Sequence, residues 1–260
     1  SSCGSVTTPT TSPGNEDVAL MRVQNEPAWL LHHRPFQDAS RILDVLSREH
    51  GRLSLVARGS RSGKSRFKGV LRPFMPLELS WVARSELGTL TGADVRGAPV
   101  ALTGEALMGG YYVNELIMHL VHRHDPQPEI FAAYSATIEA LRGSGAVSPR
   151  LREFELELLR LLGFAIDLDQ DAQTKAPLSP ERSYEYRMEQ GPVPVNDRQG
   201  ALVFSGAELI AIREHALEDP AMLRAAGRLL REVIAFHLGG RELKSRKVLV
   251  DMRRSSGTLP

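Results

Sequence analysis

Seven cationic side chains and no carboxylate lie between Glu49 and Glu78. Glycine and serine are interleaved with them, and such small residues let backbone N–H groups approach an anion. Arginine and lysine neutralise phosphates, and a ring such as that of Phe67 can stack on an unpaired base. The pattern favours a nucleic-acid-binding loop over a solvated basic loop without a ligand, and its cations are Arg52, Arg58, Arg61, Lys64, Arg66, Lys68 and Arg72.

The same stretch contains GSRSGKS at residues 59–65, which looks like a phosphate-binding P-loop. That motif requires four residues between its glycines, whereas three stand here, and the place of the first glycine is taken by Arg58. No helical pattern follows the stretch, and no later apolar run ends in the aspartate that would hold magnesium. The sequence therefore argues against an ATPase.

Other clusters of reactive residues do not form a catalytic or metal-binding pattern. His119, His122 and His124 have no carboxylate at HExxH spacing, so they are interpreted as a hydrated helix end. Glu153, Glu155 and Glu157 would spread around a helix, so they do not form a catalytic pair of carboxylates. The sequence also lacks the G-x-S-x-G motif that carries the nucleophilic serine of α/β-hydrolases. We expect no enzymatic activity, no metal site and no cofactor.

A second basic cluster follows the last long helical pattern near the C-terminus. It consists of Arg241, Lys244, Arg246 and Lys247. These cations could form a second nucleic-acid patch, or they could cap the negative end of the preceding helix. The ends of the chain are basic and residues 101–205 are acidic, which indicates either a polyanionic partner or an ordinary distribution of surface charge.

The overall composition indicates a soluble protein of a reducing compartment. Cys3 is the single cysteine in 260 residues, so neither a disulfide framework nor a multi-cysteine zinc site can form. No apolar run is long enough to span a bilayer, and the beginning of the sequence has no basic and apolar segments of a secretory signal. We expect a cytoplasmic location without membrane contact.

The first part of the chain is patterned as short strands. Residues 1–24 are rich in Ser, Thr, Pro and Gly and are predicted to form a disordered lead. Gly51 supplies the positive φ of a hairpin turn. Five strands are predicted at residues 29–31, 39–47, 53–57, 77–81 and 87–95, and the first of them ends before Pro35. Five short strands at this spacing suit an OB-fold barrel over residues 25–100.

From Thr103 onwards the spacing of apolar residues is helical. Five helices are predicted. The first begins after the N-cap residue Thr103 and ends before Pro126, the second covers residues 130–141, and the third runs from the N-cap residue Ser148 to Gly163. The fourth begins at a capping box at residues 205–208, and the fifth runs from Asp219 to Gly239. Residues 165–205 are predicted to be irregular, apart from a β-like piece at 184–187. The predicted fold class is therefore α+β multidomain, with a five-stranded OB-fold barrel followed by an α-helical bundle at 101–260.

The chain resembles the RecO family of bacterial recombination mediators from about Ala28 to Val250. Each matching piece is short, but all of them occur in the same order. They are AWLLHHRPF (28–36) with Ser40, REHGRL (48–53), VARG (56–59), LGTLTG (87–92), YYVNEL (111–116), HDP (124–126) with Glu129 and Phe131, FE (154–155), LLG (161–163), HLGGR (237–241) and LKSR (243–246).

The resemblance implies binding of single- and double-stranded DNA, annealing of complementary strands, and partnership with RecR, SSB and RecA. The DNA contacts that the resemblance implies are Arg34, Arg58, Arg61, Lys64, Arg66, Lys68 and Arg72, and all but Arg34 belong to the stretch that the charge pattern indicates. The C-terminal tail of SSB is acidic and ends in apolar residues, so its receptor should be an apolar groove rimmed by cations. The candidate groove is formed by Tyr111, Leu116, Leu120 and Arg123, unless these apolar residues belong to the core.

One segment departs from the family pattern. Many members carry a four-cysteine zinc site after the third helix, but residues 167–175 of this chain contain no cysteine. Zinc is therefore not expected, and this segment must be held by packing alone. A second interpretation of the whole chain also remains open, namely an OB-fold module that binds RNA or acts as a scaffold without annealing activity.

Overall fold

The computed structural model describes residues 20–98, 101–196 and 199–255. The N-terminal part is a closed five-stranded barrel of order β1-β2-β3-β5-β4, antiparallel except where β3 pairs with β5. This confirms the predicted barrel. Its strands are β1 (Met21–Phe36), β2 (Ser40–Ser47), β3 (Gly51–Ala57), β4 (Pro76–Ala83) and β5 (Leu87–Val95).

The alternation of side chains explains how the barrel closes. In β4, Leu77, Leu79 and Trp81 are buried, while the residues between them face outwards. The first strand corrects two sequence-based boundaries. It begins at Met21, inside the predicted lead, and it passes through Pro35, which pairs with Arg41 near the end of the strand, where a proline is tolerated. The rest of the predicted lead, residues 1–19, lies outside the described residues.

In the described residues after the barrel there are six helices: α1 (Gly104–Leu120), α2 (Pro128–Leu141), α3 (Val147–Leu161), α4 (Gly206–Arg213), α5 (Pro220–His237) and α6 (Lys244–Ser255). The capping box is confirmed, since Ser205 and Glu208 bond to each other's backbone N–H. Asp219 likewise accepts from the first turn of α5. Helix α3 begins earlier than predicted, with Ala146 rather than Ser148 as its N-cap residue. Helix α6 was not predicted.

The segment predicted to be irregular contains a small antiparallel sheet of order β7-β6-β8. Its strands are β6 (Ser183–Arg187), β7 (Gly191–Val195) and β8 (Val203–Ser205). Two prolines in β7 hide it from sequence patterning, because proline is rare inside strands. Before this sheet, the buried Asp171 carboxylate accepts hydrogen bonds from the backbone N–H groups of Gln173 and Thr174 and from the Thr174 hydroxyl. Hydrogen bonds therefore hold the cysteine-free segment, in addition to packing.

The barrel has a hydrophobic core of its own, and a second hydrophobic cluster joins part of the barrel to the helices. Trp29, Leu31, Leu46 and Phe74 of the barrel region pack in the same cluster as the buried faces of the helices. Trp29 Nε1 donates to Ser135 Oγ of α2 at 2.8 Å, and Asn114 Nδ2 of α1 donates to the backbone oxygen of Leu31 at 2.8 Å. The two parts are thus fixed relative to each other by directional contacts as well as by apolar burial.

Gly51 allows the closest approach between the two parts. A Cβ atom at this residue would lie 2.2 Å from the backbone oxygen of Asp125, and its φ is +65°. We expect Gly51→Ala to lower the free energy of unfolding by roughly 2–5 kcal/mol, because a left-handed conformation and an overlap both oppose it. The matched control is Gly59→Ala, with φ of +66° and no atom within 4 Å of the added Cβ. Gly59→Ala should lower the free energy of unfolding by only about 1–2 kcal/mol, and urea denaturation measures both variants. Equal losses in the two variants would contradict the close approach.

Candidate nucleic-acid interface

The basic loop, defined as residues 58–75 between β3 and β4, is a chain of tight turns rather than an open coil. Backbone bonds of the i+3 to i type join Ser62 to Gly59, Ser65 to Ser62 and Lys68 to Ser65. The hydroxyls of Ser62 and Ser65 accept from the backbone N–H groups two residues further on. The small residues that suggested flexibility instead build local hydrogen bonds. No helix follows residues 59–65, as expected for a stretch that is not a P-loop.

Apolar side chains anchor the loop to the barrel. Phe67, Leu71 and Phe74 are buried, and the first two belong to the barrel core together with Leu77 and Leu79. Between these anchors the cationic side chains point outwards, because the turns place apolar and charged residues on opposite sides. The exposed cations of the loop are Arg58, Arg61, Lys64, Arg66, Lys68 and Arg72.

These six cations lack carboxylate partners. Among the described residues, no Asp or Glu oxygen lies within 4.0 Å of their charged nitrogens. Nine arginines elsewhere do have such partners, although others do not: the paired ones are Arg48, Arg96, Arg123, Arg142, Arg152, Arg160, Arg187, Arg213 and Arg228. The loop therefore presents positive charge that the rest of the protein leaves uncompensated, which is the electrostatic requirement for binding a phosphate backbone.

The end of the β1–β2 hairpin extends this surface. The backbone N–H of Arg61 donates to the backbone oxygen of Ala39 at 2.9 Å, which fixes the loop beside the hairpin. Arg34 is exposed on β1, and its strand partner Ile42 is next to Arg41 on β2. Arg34 thus lies on the hairpin beside which the loop is fixed, and its contact with DNA stays a prediction. Sequence reasoning missed Arg41, because only the hairpin register brings it to this surface.

His33 is part of the same hairpin surface. Burial, followed by the positive charges of Arg41 and His32, lowers the pKa of His33 below its ordinary value. The ring is therefore neutral at pH 7 and adds no charge to the surface there.

Two residues of the sequence-based site have structural roles instead. Phe67 was predicted to stack on a base, but it is only 4% exposed and lies in the barrel core. The Arg66 guanidinium lies 4.7 Å from the centre of its ring, so Phe67 supports a cation rather than a base. Arg52 donates through Nε to the backbone oxygen of Val121 at 2.9 Å, and thus ties the barrel to the end of α1.

The second basic cluster forms the start of α6. The Glu115 carboxylate of α1 caps this helix by accepting from the backbone N–H groups of Lys244 and Ser245 and from the Ser245 hydroxyl. Lys244 and Lys247 are exposed, while Arg241 contacts the His119 ring at 3.0 Å. Lys244, Arg246 and Lys247 therefore lie at the start of α6, whereas Arg241 lies in the link that follows α5. Its use as a second nucleic-acid patch stays a prediction.

Arg246 faces a buried polar cluster beneath α6. There Tyr112 and Arg152 both donate to Glu155 Oε1 at 2.6 Å. Burial raises the pKa of the Glu155 carboxyl, while Arg152 opposes this effect. Burial also lowers the pKa of Arg246.

A groove of about 460 Å³ lies between α5 and α6. Its apolar lining residues include Ile234, Leu238 and Leu243. Side chains of both charge signs line it as well, and Arg231 and Arg246 are among the cations.

The groove predicted on α1 for the C-terminal tail of SSB is not formed as predicted, because its apolar residues are buried. Leu116 is fully buried and Leu120 is 7% exposed, so both belong to the core. Arg123 forms an ion pair with the buried Asp44 at 3.0 Å and also donates to Ser54, so it holds the helical part to the barrel. Tyr111 is exposed, but it lies in the middle of α1 and more than two helical turns before Leu120. These four residues therefore do not form one groove.

The described part of the chain offers no metal centre or membrane span. It contains no group of three or more His, Cys, Asp or Glu side chains arranged to hold a metal ion. Within the same residues, no helix combines the length and apolar character needed to cross a bilayer.

Comparison with known proteins agrees with this architecture. The family models "Recombination protein O N terminal" and "Recombination protein O C terminal" match residues 21–98 and 101–247. A protein named DNA repair protein RecO from Methylococcus capsulatus is 40% identical over 227 residues, which cover 87% of this chain and 93% of that protein. The protein of the same name from Nitrosococcus oceani is 41% identical over 236 residues, or 90% and 96%. The matches span both the barrel and the helices, and the chain belongs to the RecO family.

Proposed function

We propose that this protein is a recombination mediator of DNA repair, which binds single- and double-stranded DNA and anneals complementary strands without hydrolysing a nucleotide. Its relatives are named DNA repair proteins, and membership of the family associates the chain with DNA repair and recombination. The proposed partners are RecR, the C-terminal tail of SSB, and RecA, which the mediator helps to load onto SSB-coated DNA. We propose no enzymatic step.

The observation that carries this proposal is the row of six exposed loop cations without carboxylate partners. Contacts to phosphate are independent of base sequence, so such a surface holds any strand. Neutralising phosphates also reduces the repulsion between two strands, which otherwise opposes their approach. A surface that binds the backbone leaves base edges free to pair, as annealing requires.

Annealing of complementary oligonucleotides precoated with SSB tests the proposal. We expect this protein to accelerate duplex formation without ATP, on both naked and coated strands. SSB that lacks its acidic tail should reduce the acceleration on coated strands only, if the tail recruits the protein. Matched RNA strands distinguish the alternative module, because a general RNA binder would hold them without annealing DNA. Absence of acceleration on naked and coated DNA alike would reject the proposed function.

A further inference from the structure

The basic loop has no exposed aromatic ring of its own. Its two phenylalanines, Phe67 and Phe74, are 4% and 3% exposed, and both pack inwards. Proteins that hold single strands without sequence preference usually combine cations with rings on which bases stack. A ring for this purpose must therefore come from a neighbouring element.

Helix α1 places such a ring at the end of the loop. The Tyr111 ring lies 5.2 Å from the Phe74 ring, with an angle of 66° between their planes. Tyr111 is 39% exposed, whereas the next residue, Tyr112, is buried. Tyr111 therefore presents part of an aromatic ring to solvent while its other contacts fix it to the loop.

The position of Tyr111 relative to the loop is closely determined. A Cβ atom on Gly110 would lie 2.8 Å from both the Phe74 ring and the Leu102 side chain, so only glycine allows α1 to approach this closely. Phe74 has a φ of +60°, which is costly for a bulky residue and is maintained here by packing. The backbone at Phe74 is thus held in an unfavourable conformation that directs its ring towards α1.

We propose that Tyr111 stacks on a base of single-stranded DNA bound along the basic loop. Phe74 is two residues from Arg72, the last cation of the loop, and two residues span at most about 7 Å. A phosphate at Arg72 and a base at Tyr111 would therefore belong to the same short stretch of a bound strand. This inference rests on the proposed function, and it assigns recognition of unpaired bases to a residue of the helical part of the chain.

Stacking on Tyr111 would make the site distinguish single strands from duplexes. In a duplex the bases are paired and stacked on one another, so the ring gains no partner. The loop cations, in contrast, contact the phosphates of either form. The two contributions are separable because phosphate contacts determine the salt dependence of binding, whereas stacking does not.

The test compares Tyr111→Leu, which keeps an apolar cover over Phe74, with Tyr111→Phe, which keeps the ring. Tyr111→Leu should weaken binding of single-stranded DNA about 5- to 150-fold, with the salt slope and duplex affinity unchanged. Tyr111→Phe should bind both forms like the wild type. Wild-type affinity of Tyr111→Leu for single strands would reject the inference. Equal losses for single strands and duplexes would also reject it, because they would indicate a structural role.

Two measurements on the wild-type protein make the test independent of whether Tyr111→Leu folds. Single strands containing 5-iodouracil should crosslink to Tyr111 on irradiation, as identified by mass spectrometry. An abasic site scanned along the strand should weaken binding at one position more than at the others. Crosslinks confined to residues away from Tyr111, or abasic sites without a positional effect, would contradict stacking. If the loop cations prove essential while Tyr111 does not, only this inference fails; if neither matters, the proposed function loses its site as well.

Discussion

Replacing Arg61, Lys64, Arg66 and Lys68 together by alanine is expected to abolish most of the binding of single-stranded DNA at moderate salt. Each cation that contacts a phosphate contributes about 0.7 to the slope of log affinity against log salt, so the slope should decrease in magnitude by up to about 2.8. The loss corresponds to roughly fivefold in affinity per contact at 0.1 M salt relative to 1 M. The measurement is a titration of labelled oligonucleotides over a range of salt concentrations.

A control with the same change in net charge separates local contact from long-range attraction. Arg142, Arg160, Arg187 and Arg213 each form an ion pair with a glutamate in the helical part of the chain. Replacing these four by alanine lowers the net charge equally but removes cations that already have partners. The control should retain most of the slope. Similar slopes in the two quadruple variants would show that the loop is not the principal contact and would direct attention to the start of α6.

Sequence independence is a further consequence of phosphate binding. The quadruple loop variant should lose similar affinity for oligonucleotides of different sequence, because phosphate contacts carry no base information. Its stability should change by no more than about 1–2 kcal/mol, since these exposed charges lack carboxylate partners and only Arg66 loses a ring contact. A large loss of stability would mean that the variant reports on folding instead of binding.

Local patterns were sufficient to predict the barrel and most helices. The alternation of Leu77, Leu79 and Trp81 with polar residues has only one favourable arrangement, with one side in the core. The capping box at Ser205 and Glu208 likewise involves residues three positions apart, so its hydrogen bonds can be inferred from sequence spacing. These features depend on neighbours in the chain.

Features that depend on distant residues were missed. Helix α6 is capped by Glu115, which precedes Ser245 by 130 residues, so no local capping signal marks its start. Arg123 looked like a free cation because its partner, Asp44, is 79 residues away. Arg123 is therefore a structural cation as well, and its predicted place on the rim of a groove stays a prediction.

In the candidate site, too, features that depend on nearby residues were predictable and features that depend on distant residues were not. Six of the seven cations that the charge pattern picked out are exposed together on the loop, and their contact with DNA stays a prediction. Phe67 was misassigned, since an aromatic ring among cations has the same sequence pattern whether it stacks on a base or anchors a loop. The ring of Tyr111 was assigned to a different partner, because its proximity to Phe74 arises only when α1 packs on the barrel.

Phe67→Ala should therefore destabilise the protein rather than remove a base contact. The ring is almost completely buried between the loop and the barrel core, so its removal leaves a cavity. Truncation of a buried phenylalanine costs roughly 3–5 kcal/mol in the free energy of unfolding. Phe67→Leu, which fills much of the same volume, should cost substantially less. Urea denaturation monitored by circular dichroism measures both changes.

DNA binding by the folded fraction of Phe67→Ala distinguishes anchoring from stacking. If the ring is an anchor, weakened binding should accompany loss of the loop conformation and should include a smaller salt slope, because Arg66 loses its support. If the ring stacked on a base, affinity would fall with an unchanged slope and unchanged stability. The stability measurement decides between these outcomes first. If Phe67→Ala is as stable as the wild type, Phe67 lies at the surface, and the loop itself supplies the ring that stacks on a base.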